Sequence, residues 1–272
     1  MIVHLPVMVR EVVEMLNIRS GGTYVDATIG LGGHAEEILK RIGPEGRLVG
    51  IDRDDNALKV SRERLKDRRV TLKQGAFSDL KNILQGEDIH GINGILFDFG
   101  VSMMQFGDPS RGFSFHSEEP LDMRMGRQQE MTASDIVNTW PEHEIERILW
   151  EYGEERLARR IARAIVAERA RKRIETCAEL AGIVSWVYRV RGRRHPATKT
   201  FQALRIAVND EIAEIRSGLE ASLALLSREG RLCAISYHSL EDRTVKFFMR
   251  DTEKEGLARI ITRKPMTPQD DE

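Results

Sequence analysis

The chain has 272 residues, 41% apolar and 31% charged, with a formal net charge of −1. That length admits one large domain or two smaller ones, and the composition is that of a soluble globular protein with ample core material. No apolar run approaches the ~18–20 residues needed to cross a bilayer, and the opening "MIVHLPVMVREVVEML" has no basic leader followed by a long apolar stretch, so neither a membrane span nor a secretory signal is expected.

The first hundred residues alternate strand and helix patterns. "TYVDATI" (Thr23 to Ile29) reads as a strand and Gly33 to Ile42 as a helix. "RLVGID" (Arg47 to Asp52) is the next strand, Asp54 to Lys66 the next helix, and "VTLKQG" (Val70 to Gly75) a third strand. "INGILFDFG" (Ile92 to Gly100) is a fourth, nearly free of charge, as befits a strand covered on both faces. Such alternation predicts right-handed crossovers and a parallel, doubly wound sheet.

That rhythm stops near Met104. "QFGDPSRGFSFHSEEPLDMRMGRQQ" is rich in Gly, Pro, Ser and charge and reads as a long ordered loop. Helical periodicity then takes over in "TASDIVNTW", which opens with a good cap, and in "PEHEIERILWEYG", which opens with a proline suited to a first turn. "EERLARRIARAIVAERARK" and "TCAELAGIVSWVYRV" continue it. The expected organisation is an α/β domain over 1–105 and 200–272, interrupted by a helical insertion over 106–199. From Thr200, "TFQALRIAVNDEIAEIRSGLEASLALL" reads as one long amphipathic helix, "EGRLCAISYHS" (Glu229 to Ser239) as a strong strand, "EDRTVKFFMRD" as a helix and "LARIITRKP" as a last strand.

Charge is spread unevenly. Residues 156–205 hold 14 Lys and Arg against 3 Asp and Glu, which suggests a polyanion-facing segment in an otherwise acidic chain. Arg156, Arg159, Arg160 and Arg163 recur at near-helical spacing, and Arg191, Arg193, Arg194 and Lys199 follow in a loop. Cys177 and Cys233 share no metal or redox spacing and fit a reducing cytoplasm as small buried residues. No metal-ligand spacing is present elsewhere.

The stretch after the first strand carries the chemistry. Gly30, Gly32 and Gly33 lie between that strand and its helix, where an open α/β sheet holds its ligands, and without Cβ atoms they let a ligand approach main-chain amides. Asp52 ends the second strand, where a carboxylate grips ribose hydroxyls. The spacing is G-x-G-G rather than G-x-G-x-x-G, and Asp26 precedes it by four residues. An acid there repels a pyrophosphate but tolerates a sulfonium or an ammonium, which turns the reading from NAD to S-adenosylmethionine. Phe77, after the third strand, is placed to stack on an adenine or simply to pack in the core. Asp98, ending the apolar fourth strand, is a carboxylate in want of a purpose.

Several stretches together resemble one family: "HLPVM", "DATIGLGGHAE", "GIDRD", "FDFGVS", "RGFSF", "PLDMRM", "YGEERLARRIARAIV", "HPATKTFQALRIAVNDE" and "ISYHSLEDRTVKFF" are similar, in order, to the MraW/RsmH family of bacterial methyltransferases. The resemblance implies a class I S-adenosylmethionine-dependent methyltransferase fold with a helical insertion for substrate recognition. It implies methylation of the exocyclic N4 amine of a cytidine in the decoding centre of 16S ribosomal RNA, with the small ribosomal subunit as partner and the cytoplasm as location. Carried over position by position, Gly32, Gly33, His34, Asp52, Phe77, Asp98 and Gln105 are the expected cofactor contacts. His34 and Gln105 come from the resemblance alone. Where the family usually continues from "FDFGVS" with Ser-Pro-Gln-Leu, this chain has "MMQFG", and it stops at "TPQDDE" where the family carries a basic tail and a final strand.

The expected chemistry follows. A cytosine amine is a poor nucleophile because its lone pair is delocalised into the ring. Positioning and a hydrogen-bond acceptor on the amine supply what it lacks, and Asp98 and Ser102 are the candidates. Arg156, Arg160, Arg163, Arg191, Arg193, Arg194 and Lys199 are expected on the RNA backbone, with His238 near the nucleotide or in a structural hydrogen bond. Phe113 and Phe115 are candidates for base stacking or for core packing. The alternatives are a non-catalytic, cofactor-binding assembly factor and an amino-methyltransferase acting on another RNA or on DNA.

Overall fold

The computed structural model describes residues 6–115, 118–188 and 195–268. Two compact units emerge, one from residues 1–100 and 212–272, the other from residues 101–211. In the first, α1 (Val9–Leu16), β1 (Thr23–Asp26), α2 (Gly33–Leu39), β2 (Arg47–Asp52), α3 (Asp55–Arg64), β3 (Val70–Gln74), α4 (Leu80–Gly86) and β4 (Ile92–Asp98) alternate in chain order. The second unit contributes α5 (Met103–Gly107), α6 (Ala133–Thr139), α7 (Glu142–Glu151), α8 (Ala158–Arg169), α9 (Cys177–Val187) and α10 (Thr198–Asn209). The chain then returns through α11 (Glu211–Leu225), β5 (Leu226–Ile235) and α12 (Ser239–Lys254).

The five strands are parallel, in the order β3-β2-β1-β4-β5. Successive strand residues face opposite sides, and both sides are covered. Tyr24, Leu48, Leu96 and Cys233 pack with Leu16, Ile38 and Leu58 of α1, α2 and α3. Val25, Val49, Ile95 and Phe97 pack with Leu84, Leu219 and Val245 of α4, α11 and α12. Two cores on one sheet explain the apolar runs of the inner strands β1, β2 and β4, which are buried on both faces, while the outer strands β3 and β5 are only partly covered. β1 is short, yet its tip stays fixed: the Ala27 amide donates to Leu96 and the Ile29 amide to Ile51.

The second unit has its own core, drawn from α6 to α10 and including Ile136, Ile148, Ile161, Leu180 and Leu204. Capping boxes start three of its helices: Ser102 with Gln105 on α5, Thr132 with Asp135 on α6, and Thr176 with Glu179 on α9. The Gly- and Pro-rich stretch before α6 is tied down by side chains. Asn209 accepts from the Met125 amide at 2.8 Å and donates to the Met123 carbonyl at 2.8 Å, and Arg111 donates to the Met125 carbonyl at 2.6 Å.

Two elements differ from the pattern read in the sequence. The helix expected to run unbroken from Thr200 is two helices, because Asp210 takes a left-handed conformation (φ 48°) between α10 and α11. Aspartate is among the few residues that adopt this readily. The strand expected over Leu257 to Pro265 does not form. Its amides turn back on α12 instead: those of Leu257 and Ala258 donate to the Thr252 carbonyl and that of Ile260 to Glu253 Oε1. They satisfy the helix end rather than a sheet edge, and Leu257 and Ile261 stay exposed.

Gly218 of α11 abuts the sheet so closely that an added Cβ would lie 2.7 Å from Phe77 Cβ and 3.1 Å from the Phe97 ring. Gly218→Ala should therefore lower stability by about 1–2 kcal/mol, overpacking outweighing the better helix propensity of alanine. A urea midpoint equal to or above that of the parent chain would refute this.

Candidate active site

The glycine turn after β1 is held from below. Gly30 and Gly32 have positive φ (49° and 78°), and the Gly32 amide closes the turn on the Ile29 carbonyl at 2.7 Å. Ser61, buried on α3, donates to the Gly30 carbonyl at 2.7 Å. Gly33 begins α2 beneath the N-terminal segment, where a Cβ would meet Pro6 at 2.8 Å.

Asp26, Asp52 and Asp98 end three adjacent strands at their carboxyl edge. The Asp52 carboxylate accepts from the Gly30 amide at 2.9 Å and from the Asp54 amide at 2.8 Å, which joins the end of β2 to the glycine turn. Asp26, 1% exposed, accepts from the Thr28 amide at 3.2 Å. Thr28 Oγ1 accepts from the Asp98 amide at 2.7 Å. The Asp98 carboxylate accepts from the Tyr237 hydroxyl at 2.8 Å and lies 3.8 Å from His34 Nδ1. The other ring nitrogen of His34 is 2.8 Å from the Val7 carbonyl.

Burial is the main electrostatic fact here. It pushes Asp26 up to about 6; His34 and the Thr28 amide oppose the rise, and Asp98 and Asp52 add to it. Burial likewise pushes Asp52 up to about 6 against the amides of Asp54 and Gly30 that favour its charge. The edge is a concentration of carboxylates.

Phe77, half-buried, meets the rings of Phe97 and Phe99 edge-on at 5.3 and 5.8 Å. Its turn is fastened by Glu214 of α11, which accepts from the Ser78 amide at 3.0 Å and pairs with Arg53 at 2.8 Å. His238 caps α12, its ring nitrogens 3.5 Å from the Glu241 amide and 3.1 Å from Glu241 Oε1, a structural pairing.

The remaining candidates lie in the second unit. Ser102 caps α5 and forms a box with Gln105, at 3.2 and 3.1 Å, and Gln105 also donates to the Met125 carbonyl at 3.3 Å. Arg156, Arg159, Arg160 and Arg163 are exposed, the last three on α8, opposite its buried face of Ala158, Ile161, Ala162 and Ile165. Arg160 reaches the Val187 carbonyl at 3.5 Å and Arg163 lies 3.9 Å from Glu142. Lys199 donates to the Glu154 carbonyl at 2.7 Å. Arg191, Arg193 and Arg194 lie outside the described residues. Phe113 is buried, and Phe115 stacks on His195 at 4.3 Å, so both serve the packing of this unit. Cys177 is buried with its thiol pushed up to about 12, chiefly by burial. Among the described residues no helix is long and apolar enough to cross a membrane.

Tyr237, Thr28, Ser61 and Glu214 were not singled out in the sequence. The one signal for Tyr237 was its place two residues past β5, the strand that pairs Ile235 with Asp98.

The strand order and the glycine turn after β1 are those of a doubly wound, Rossmann-like α/β fold, and the family match makes it a class I methyltransferase fold. The chain belongs to the MraW methylase family, whose family model matches residues 1–272. A ribosomal RNA small subunit methyltransferase H of Persephonella marina is 49% identical over 98% of this chain and 92% of its own length. A protein of the same name from a Sulfurihydrogenibium species is 48% identical over 100% and 94%, and one from Symbiobacterium thermophilum 45% identical over 97% and 89%. Among solved structures, an rRNA methylase from Streptococcus thermophilus overlaps 34% of this chain and 52% of its own at 21% identity, with a TM-score of 0.27.

The raised Asp26 has a sign that can be measured. The folded chain holds a proton that the unfolded chain, with an ordinary value of 3.8, gives up, so Asp26 costs stability as pH rises from about 3.8 through about 6. Without cofactor, the melting temperature of Asp26→Asn relative to the parent should rise between pH 4.5 and pH 8. A pH-independent difference would remove the account.

Proposed function

We propose that the protein transfers a methyl group from S-adenosylmethionine to the exocyclic N4 amine of a cytidine in the decoding centre of 16S ribosomal RNA. Family membership supports the reaction class. The observation that carries the mechanism is the row of three strand-end carboxylates around a glycine turn.

The residues present fit this cofactor. Gly30 and Gly32 leave the turn without side chains, so a ligand can lie against its amides. Asp52, pinned by two amides, is oriented for ribose hydroxyls. Asp26 is a buried carboxyl whose charged form a ligand cation would stabilise, which the pyrophosphate of a dinucleotide would not offer. When bound, S-adenosylmethionine supplies an electrophilic methyl group on a cationic sulfur. Gly32, Gly33, His34, Asp52 and Phe77 hold and orient it, with Gln105 added by family resemblance.

Asp98 then acts on the acceptor. Its carboxylate takes a hydrogen bond from the amine, which localises the nitrogen lone pair and offsets the positive charge that develops as the N–C bond forms and the S–C bond breaks. The amine proton is released to solvent. Ser102 is the second candidate for this role. The target cytidine must leave its stack to be reached, and the exposed arginines near and on α8 meet the RNA backbone.

Labelled methyl supplied on S-adenosylmethionine should appear as N4-methylcytidine in small subunits from cells lacking the modification. Cofactor binding with no label in subunits, free RNA or DNA would favour a non-catalytic assembly factor. Arg156→Glu combined with Arg159→Glu should weaken RNA binding severalfold, lower its salt slope by about one for each phosphate no longer neutralised, and leave cofactor affinity unchanged. An unaltered salt slope would take this surface out of the RNA interface.

A further inference from the structure

Tyr237 combines an exposed side chain with a fixed position. The residue is 57% exposed, yet its position is fixed at both ends. The hydroxyl donates to Asp98 Oδ1 at 2.8 Å, and the backbone amide donates to Glu241 Oε2 at 2.8 Å, Glu241 being wholly buried on α12. The register carries the residue to this place. β5 pairs Ile235 with Asp98, the Phe99 amide donates to the Ile235 carbonyl at 3.1 Å, and the chain runs two residues on to Tyr237. Gly100, in a positive-φ conformation (98°), comes up beside the ring, where a Cβ would stand 3.5 Å from Cδ2. The ring is thus an immobilised aromatic surface attached to the carboxylate assigned to the acceptor amine.

A tyrosine needed only to orient a carboxylate has no reason to leave its ring in water. A flat base needs such a surface: stacking costs little specificity, because every base has a π-face, and holds a splayed nucleotide that has lost its neighbours. Resting on the methyl-transfer reading above, we propose that Tyr237 is the platform for the target cytosine, its ring lying against the base while its hydroxyl holds the platform and Asp98 at a fixed separation. The donor suits its place, because burial and the neighbouring Asp98 charge push the phenol up, which favours the protonated form that donates.

The test separates ring from hydroxyl. Tyr237→Ala removes both, Tyr237→Phe removes only the hydroxyl, and Tyr237→Trp keeps a stacking surface. KM for unmodified small subunits, kcat, and the Kd of S-adenosylmethionine by calorimetry are measured for each. Tyr237→Ala should raise KM about tenfold or more, the loss expected for one stacked base, with the cofactor Kd within about twofold of the parent. Tyr237→Phe should keep KM near the parent value while lowering kcat, because Asp98 loses its tether, and Tyr237→Trp should recover most of the KM. Tyr237→Phe as impaired in KM as Tyr237→Ala would reduce the residue to a positioning group for Asp98. An unchanged KM in Tyr237→Ala, with the parent enzyme active, would overturn the platform and leave methyl transfer standing. A parent enzyme that transfers no methyl would overturn both.

Discussion

Three carboxylates at the carboxyl ends of three neighbouring parallel strands are a costly arrangement. Like charges in a poorly solvated place disfavour one another, and each must find donors or a proton. Asp52 is served by backbone amides, one of them from the glycine turn; Asp26 keeps its proton to about 6; Asp98 takes the Tyr237 hydroxyl. Much of the surrounding architecture answers this demand. Positive φ at Gly30 turns an amide onto Asp52, Ser61 braces the same turn, and β5 brings a phenol to Asp98. Three neighbouring carboxylates are suited to a cationic ligand, which is why this edge supports a sulfonium compound over a pyrophosphate.

The second unit follows a different logic. Three of its helices, α5, α6 and α9, start from side-chain caps, and its core is one continuous apolar cluster. α8 shows the division plainly: Ala158, Ile161, Ala162 and Ile165 face inward while Arg159, Arg160 and Arg163 face water. An arginine-rich helix with this stripe needs no deep site to meet a polyanion, because phosphate attraction depends on charge density rather than enclosure.

What was legible in the sequence was what local pattern encodes. The apolar runs located β1, β2, β3 and β4, and Asp52 and Asp98 stood out as acids ending such runs, whereas Asp26 was noticed only for its spacing to the glycines, the first strand having been read on to Ile29 and not as ending at Asp26. What was not legible came from long range. Nothing near Tyr237 announces a partner 139 residues earlier, and Glu214 is one of several acids on its helix until the fold sets it against Ser78 and Arg53. Periodicity also misled. The 3.6-residue pattern runs straight through Asp210, where a left-handed residue breaks the helix without disturbing the apolar spacing. It also gave no hint that the amides after α12 would close the helix rather than extend the sheet.

The interrupted course of the first unit bears on its birth. β1, β2, β3 and β4 leave the ribosome first, but β5, which flanks β4 and brings Tyr237 to Asp98, is made only after the whole helical unit. The nascent chain therefore carries an incomplete sheet through the synthesis of more than a hundred residues, and closing it requires a pairing of very long sequence separation. The second unit has a core of its own, and a loop condensed around a core costs less entropy to close than an open chain of the same length.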